Sequence, residues 1–144
     1  MYKNSRAVLR FNDGKILKGF ISGFTSETDV VSIEEAETHK ALTTDIHLLK
    51  AIFFVRSFEG NRHYREKKSY GLTKPKGRKI FIKFKDGEDM VGFLIGEVPW
   101  GKGFFLSKSD NVQKGFFISP ADEDSNNEKV FVVSSSVKDV TVMP

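Results

Sequence analysis

A stretch of 14 residues near the N-terminus recurs 73 positions later, and this recurrence restricts the fold more than any other feature of the chain. Phe11-Asn-Asp-Gly-Lys-Ile-Leu-Lys-Gly-Phe-Ile-Ser-Gly-Phe24 aligns with Phe84-Lys-Asp-Gly-Glu-Asp-Met-Val-Gly-Phe-Leu-Ile-Gly-Glu97, with Phe, Asp, Gly, Gly, Phe and Gly in common. These identities are ones that backbone geometry demands. Asp13-Gly14 and Asp86-Gly87 are hairpin signals, because a tight turn needs positive φ and glycine supplies it without steric cost. Gly19 and Gly23, like Gly92 and Gly96, interrupt apolar strands, which marks bends or bulges that let a sheet curl. Upstream, Ala7, Leu9 and Phe11 share one strand face, and Ile80, Ile82 and Phe84 repeat that face at the same offset. A slip of one residue would turn either set to the opposite side, so the register is strongly specified.

The later segments match at a larger offset, with Leu49-Lys-Ala-Ile-Phe-Phe-Val55 over Val137-Lys-Asp-Val-Thr-Val-Met143 at 88. Part of the extra length is a local echo: Gly103-Phe-Phe-Leu-Ser-Lys-Ser-Asp110 returns as Gly115-Phe-Phe-Ile-Ser-Pro-Ala-Asp122, which predicts an inserted strand or hairpin. Period-two alternation places strands near 6–12, 15–24, 29–34, 41–46, 50–56, 79–85, 88–97, 103–107, 115–119, 129–134 and 137–143. No segment carries a 3.6-residue apolar period with capping signals. The chain reads as all-β and internally duplicated. Residues 1–58 form one small barrel half, 59–78 a connector, and 79–144 a second half with the inserted hairpin. Five strongly bent strands are enough for a small closed barrel, which predicts two five-stranded curled units, as two small barrels or one fused β unit.

The order within each half resembles the Sm-like family of small SH3-like barrels: an apolar strand, an Asp-Gly turn, a bent strand with Gly-x-x-x-Gly, a third strand and a short last one. Leu49-Lys50-Ala51-Ile52 falls where the bacterial Sm-like RNA chaperone has Lys-His-Ala-Ile. Three stretches also resemble a bacterial domain family of unknown function: Leu49 to Asn61, Gly77 to Glu88, and Asp124 to Val133. The Sm resemblance implies the fold but not the RNA pocket. Thr25 or Ser26 stands where that pocket needs Asp, Ala51 replaces its His, and Lys138-Asp139 puts a carboxylate where phosphate needs a cation.

Composition removes several classes of chemistry. With no Cys there are no disulfides, thiolate metal sites or cysteine nucleophiles. His39, His47 and His63 have no second ligand at useful spacing. Asp122-Glu-Asp-Ser-Asn-Asn127 begins like a calcium loop but lacks the glycine at its sixth position and the closing glutamate. No nucleophile-elbow, Walker-type or dinucleotide-binding glycine pattern occurs. Arg6-x-x-x-Arg10 copies the arginine spacing of PilZ domains without their facing Asp/Asn-x-Ser-x-x-Gly partner. The expectation is a protein without enzymatic activity, cofactor or metal. Met1 to Arg6 holds no apolar signal core, and no apolar run approaches the roughly 20 residues of a membrane-spanning helix. A soluble cytoplasmic protein with no membrane partner is expected.

Two features remain that bear on partners. The net charge of +4 is concentrated: residues 59–79 hold eight basic and two acidic side chains, whereas residues 80–144 hold seven and ten. In the connector Arg62, Arg65, Lys67 and Lys68 interleave with Tyr64 and Tyr70, a pattern suited to phosphate contacts plus base stacking, although a solvated linker broken by Pro75 and Gly77 is the favoured reading of such a charge run. Trp100, Phe104, Phe105, Phe116 and Phe117 offer a second stacking platform or core. Ile52-Phe-Phe-Val55 and Val130-Phe-Val-Val133 are apolar on both faces, though a small barrel has one inside. These strands must be covered by the other half or form a partner surface at Phe53, Phe54 and Phe131. The expected function is a non-catalytic binding or assembly module, a homo-oligomer or bound to a protein partner. The alternative is a single-stranded nucleic-acid or RNA binder using the connector.

Overall fold

Alternating apolar residues set the strand faces here, and the Asp-Gly pairs set where the chain reverses. The computed structural model describes residues 5–56, 78–95, 114–120 and 127–142. In order these form β1 (Ser5–Phe11), β2 (Ile16–Ile21), β3 (Val30–Glu35), β4 (Ala41–Asp45), β5 (Leu49–Val55), β6 (Lys79–Phe84), β7 (Asp89–Ile95), β8 (Gly115–Pro120), β9 (Asn127–Val133) and β10 (Val137–Val142). Single 3-10 turns, Ile46–Leu48 and Ser134–Ser136, lead into β5 and β10. Among the described residues the chain is all-β. The strand expected at 103–107 lies outside them, as does the connector except for Arg78.

Both hairpin turns form where their Asp-Gly pairs stand. Gly14 and Gly87 each sit at φ 96°, a region that costs a residue with a Cβ. Each glycine N–H donates back across its turn, to Phe11 at 3.0 Å and Phe84 at 2.9 Å. The carboxylates of Asp13 and Asp86 each accept the amide two residues on, from Lys15 and Glu88, at 2.9 Å. Gly19 and Gly92 answer a different need. A Cβ on Gly92 would stand 2.7 Å from the Ser119 carbonyl oxygen, and one on Gly19 would meet the Glu34 carbonyl. The neighbouring strand crosses too closely there for any side chain.

The pairing of β1–β5 recurs in β6–β10. Ala7↔Gly19 and Leu9↔Leu17 become Ile80↔Gly92 and Ile82↔Met90. Gly19↔Glu35 becomes Gly92↔Pro120, and Val30↔Asp45 becomes Gly115↔Val133. Leu9↔Ile52 becomes Ile82↔Val140. The irregularity recurs too: the register shifts after Arg10↔Ala51 and again beside Lys83↔Asp139, leaving Lys50 and Lys138 as the extra residues.

Hydrogen bonding does not close either set into a barrel of its own. All ten strands join in one open antiparallel sheet, ordered β10-β6-β7-β8-β9-β5-β1-β2-β3-β4. The middle explains this. β5 pairs with β9, at Ala51↔Val132, Ile52↔Phe131 and Phe53↔Val130, so the fifth strand of one set bonds the fourth of the other. The pairing edges that closure would use are spent on this seam.

The seam also explains the strands that are apolar on both faces. Ala51, Val130 and Val132 pack with Ile80, Ile82, Phe84, Leu94, Phe116, Ile118 and Val140, and half-buried Phe53 joins them. Ile52, Phe54, Phe131 and Val133, their neighbours on the alternate face, pack with Ala7, Leu9, Ile21, Val31, Ile33 and Leu49. Because successive side chains point to opposite faces, the sheet carries one core on each side, and β5 and β9 contribute to both. Each core therefore includes residues of the other five-strand set. The outer edges are built differently. The positions matching Ala51, Phe53, Phe131 and Val133 are Asp139, Thr141, Thr43 and Asp45, all exposed.

Candidate functional site

Two clusters of side chains arise where the sets meet. The first is electrostatic. As the extra residue of its bulge, Lys50 turns inward and is only 3% exposed. A lone ammonium so placed costs several kcal/mol, by order of magnitude, unless it is paired. Here it donates to Asp86 at 2.8 Å and to Glu88, both from the β6–β7 turn, and lies 4.7 Å from the centre of the Phe84 ring. The Arg10 guanidinium stands 3.5 Å from Glu88 and over the Phe53 ring. The hydrogen bond from Lys50 and that from the Glu88 amide hold the Asp86 carboxyl below its ordinary range. Nearby, the Ser136 hydroxyl, buried beside β5, lies 3.0 Å from the Lys50 carbonyl and 2.7 Å from that of Val133. This cluster pins the β6–β7 turn to β5, and its charges are met within the chain.

The second cluster is aromatic and open. Phe24 follows β2, Phe54 lies on β5, Phe117 on β8 and Phe131 on β9. Phe24 and Phe117 each set a ring edgewise against Phe131, centroids 4.9 Å apart. Phe24–Phe54, Phe24–Phe117 and Phe54–Phe117 lie 6.1 to 6.2 Å apart. Pairs of this kind contribute about 0.5–1.5 kcal/mol each beyond area burial, so the rings hold their places without a ligand. Above them opens a cavity of about 160 Å³, lined by Ser5, Ile21, Ser22, Gly23, Phe24, Phe54, Phe117 and Lys129. The Lys129 ammonium lies 5.3 Å from the Phe54 ring centre and 4.9 Å from that of Phe117. Among the described residues it is the sole charged group on the lining, and no carboxylate borders the cavity.

Of the residues singled out in the sequence, Phe53, Phe54 and Phe131 come together on the seam. Phe131 is fully buried, Phe54 is 6% exposed and Phe53 is half-buried. Arg62, Tyr64, Arg65, Lys67, Lys68 and Tyr70 lie outside the described residues, as do Trp100, Phe104 and Phe105. Phe116 belongs to a core, whereas Phe117 reaches the cavity. Arg6 donates to the Arg56 carbonyl at 3.0 Å, so it and Arg10 serve separate contacts. Among the described residues no group of three His, Asp or Glu side chains is placed to hold a metal ion.

Sequence reasoning missed Phe24, Ser22 and Lys129. A usable signal lay in the differences between the repeated segments rather than in their identities. Phe24 stands where the second segment has Glu97, and Phe117, Lys129 and Phe131 stand opposite Ser32, Ala41 and Thr43. Positions that are aromatic or basic in one set and small or polar in the other gather at the seam. No curated protein and no solved structure matches the chain. Residues 3–144 match a family of unknown function, DUF6982, and the chain belongs to that family.

Proposed function

We propose that this protein is a tandem pair of small Sm-like, SH3-like units fused side by side, serving as a non-catalytic binding module. The recurrence of strand order and register from β1–β5 to β6–β10 supports the duplication. Between binding and assembly, the outer edges favour binding. Strand edges that grow by addition present apolar side chains and unpaired backbone, and proteins block them with charge. Here the seam positions are apolar, while their counterparts on β4 and β10 are Thr43, Asp45, Asp139 and Thr141. The assembly contact is used once, inside the chain.

The observation that carries the binding reading is the preformed cavity of Phe24, Phe54 and Phe117 under Lys129. Ligand sites are concave with a few convergent polar groups, and this one sets two serines and a cation over a floor of phenylalanines, with more polar than apolar surface open on its lining. Titration of the full chain with phenyl phosphate, followed by amide NMR, tests it. The amides of Ser22, Gly23, Phe117 and Lys129 should shift, and those of β4 and β10 should not. If this probe leaves the first group unmoved, the four phenylalanines are plain core and the reading fails. The second reading is single-stranded nucleic-acid binding through the basic segment, favoured by the six net positive charges in residues 59–79.

A further inference from the structure

The two five-strand sets differ on a face that neither core uses. On β6 and β7, the side chains that alternate with Ile80, Ile82 and Leu94 point away from the core those residues build. Among them Phe81, Val91 and Phe93 are half-buried, Ile95 is 43% exposed, and none of the four packs in either core. Phe81↔Val91 and Ile95↔Phe117 are direct cross-strand pairs, so the residues form one continuous apolar patch that ends at Phe117, on the cavity lining. The matching positions of the first set are Val8, Lys18, Phe20, Ser22 and Ser32. The same strands and register form there, so folding does not require Val91, Ile95 or Phe117 to be apolar. An apolar patch carried by one set and not by its duplicate marks an interaction surface.

The charges around the patch select the partner. Lys79 lies opposite Phe93 on β6, and Lys129 stands on β9, two strands beyond Phe93. Among the described residues the carboxylates of this face are Asp89 and Asp139. Both lie opposite Lys83, and Asp89 is 3.5 Å from its ammonium. Two cations therefore bound the patch, and its acidic groups are gathered at the far end of β6. An exposed sheet face is covered by packing a helix on it. From β6 to β9 the patch crosses three strand spacings, about 14 Å, which three turns of helix match at about 16 Å.

We propose that this face docks an amphipathic helix of a partner protein. Its apolar stripe rests on Phe81, Val91, Phe93 and Ile95, and carboxylates toward its two ends meet Lys79 and Lys129. This goes beyond the cavity reading, because it uses a second surface that borders the cavity.

The test titrates the full chain with a model helical peptide of leucine, alanine and glutamate, its leucines spaced i, i+3, i+4, i+7. A second peptide carries lysine for glutamate, and a third carries serine for leucine. The first should bind and shift the amides of Lys79, Phe81, Val91 and Phe93. The lysine peptide should bind at least about tenfold more weakly, through like-charge contact, and the serine peptide should not bind. Val91→Lys with Ile95→Ser, which installs the residues of the first set, should weaken the first peptide about tenfold or more, as for one buried aliphatic side chain. Lys79→Gln should weaken it about two- to fivefold, the loss of an exposed ion pair, and reduce its salt dependence. Free spectra and urea midpoints report whether each variant keeps the fold. Affinity for the first peptide weaker than about 1 mM, or binding that neither variant weakens, overturns the proposal. So does a dimer that the paired substitution dissolves, which gives the face to a second copy. Sedimentation with phosphatidylglycerol vesicles without peptide binding gives it to a membrane, and a lowered urea midpoint without peptide binding gives it to another segment of this chain; either result also overturns the proposal. If phenyl phosphate shifts Ser22 and Gly23 while the peptide does not bind, the helix proposal falls and the cavity reading stands; the reverse result leaves the helix site and removes the cavity.

Discussion

Lys50 shows how one residue of bulge geometry becomes a tertiary contact. An even register would have kept its side chain in the alternation of β5; the extra residue turns it beneath the β6–β7 turn, onto Asp86 and Glu88. Because this contact holds the Asp86 carboxyl below its ordinary value, the folded chain binds fewer protons there than the unfolded chain does. The stabilisation is complete above the usual aspartate range, centred at about 3.9, and is lost as pH falls through and below that range. Asp86→Asn should therefore flatten the acid limb of stability against pH and lower the urea midpoint at neutral pH. Equal acid limbs for the two proteins would show that the contact does not couple to folding. Lys138, which matches Lys50 in the second set, is exposed. The identity of the residue was visible in the sequence in both cases, but the carboxylates that bury one of them were not.

At the scale of elements, β5 and β9 decide whether the five-strand sets can exist apart. Each set has about 60 residues, a size at which a domain buries about 60% of its unfolded surface and is marginal. Here each core also depends on the other set, with Phe131 and Val133 packed in one and Ala51 in the other. Chains ending at Arg56 or beginning at Arg78 should each lack dispersed NMR spectra and a cooperative thermal transition. In the full chain Phe131→Ala should cost about 3–5 kcal/mol, the range for deleting a fully buried phenylalanine. A loss below about 1 kcal/mol in chemical denaturation would place Phe131 outside the shared core. The sequence already marked β5 and β9 as needing cover on both faces. It left open whether a second copy or the other half supplies that cover, because nothing local to either strand names its partner.

For the whole molecule the question is what keeps the described sheet from adding further strands at its edges. Among the described strands the free edges are β4 and β10, the counterparts of the two strands that meet at the seam. Their backbones could pair head to tail as β5 and β9 do. The side chains oppose it: Thr43, Asp45, Asp139 and Thr141 would have to enter cores that take Phe131, Val133, Ala51 and Phe53 at the seam, and burying unpaired carboxylates is costly. Light scattering should therefore report a monomer. Joint replacement by the seam residues, Thr43→Phe, Asp45→Val, Asp139→Ala and Thr141→Phe, should give species that grow with concentration. A stable oligomer of the unsubstituted chain would show that the polar edges do not limit assembly.

The described strands, their faces and both Asp-Gly hairpins were determined by the sequence alone, because alternation and turn chemistry act within a few residues. The repeated spacing extended this to register, making Leu9↔Leu17 and Ile82↔Met90 equivalent pairs at one offset. Only the tertiary structure decided that β5 meets β9, that the sheet stays open, and that Phe24, Phe117 and Lys129 enclose a cavity. Those outcomes depend on which of several similar edges pair across large sequence separations. Each apolar strand would gain comparable burial from more than one partner; the chain's own second set is tethered and presents a matching apolar strand, and that tether selects the seam from which the cavity follows.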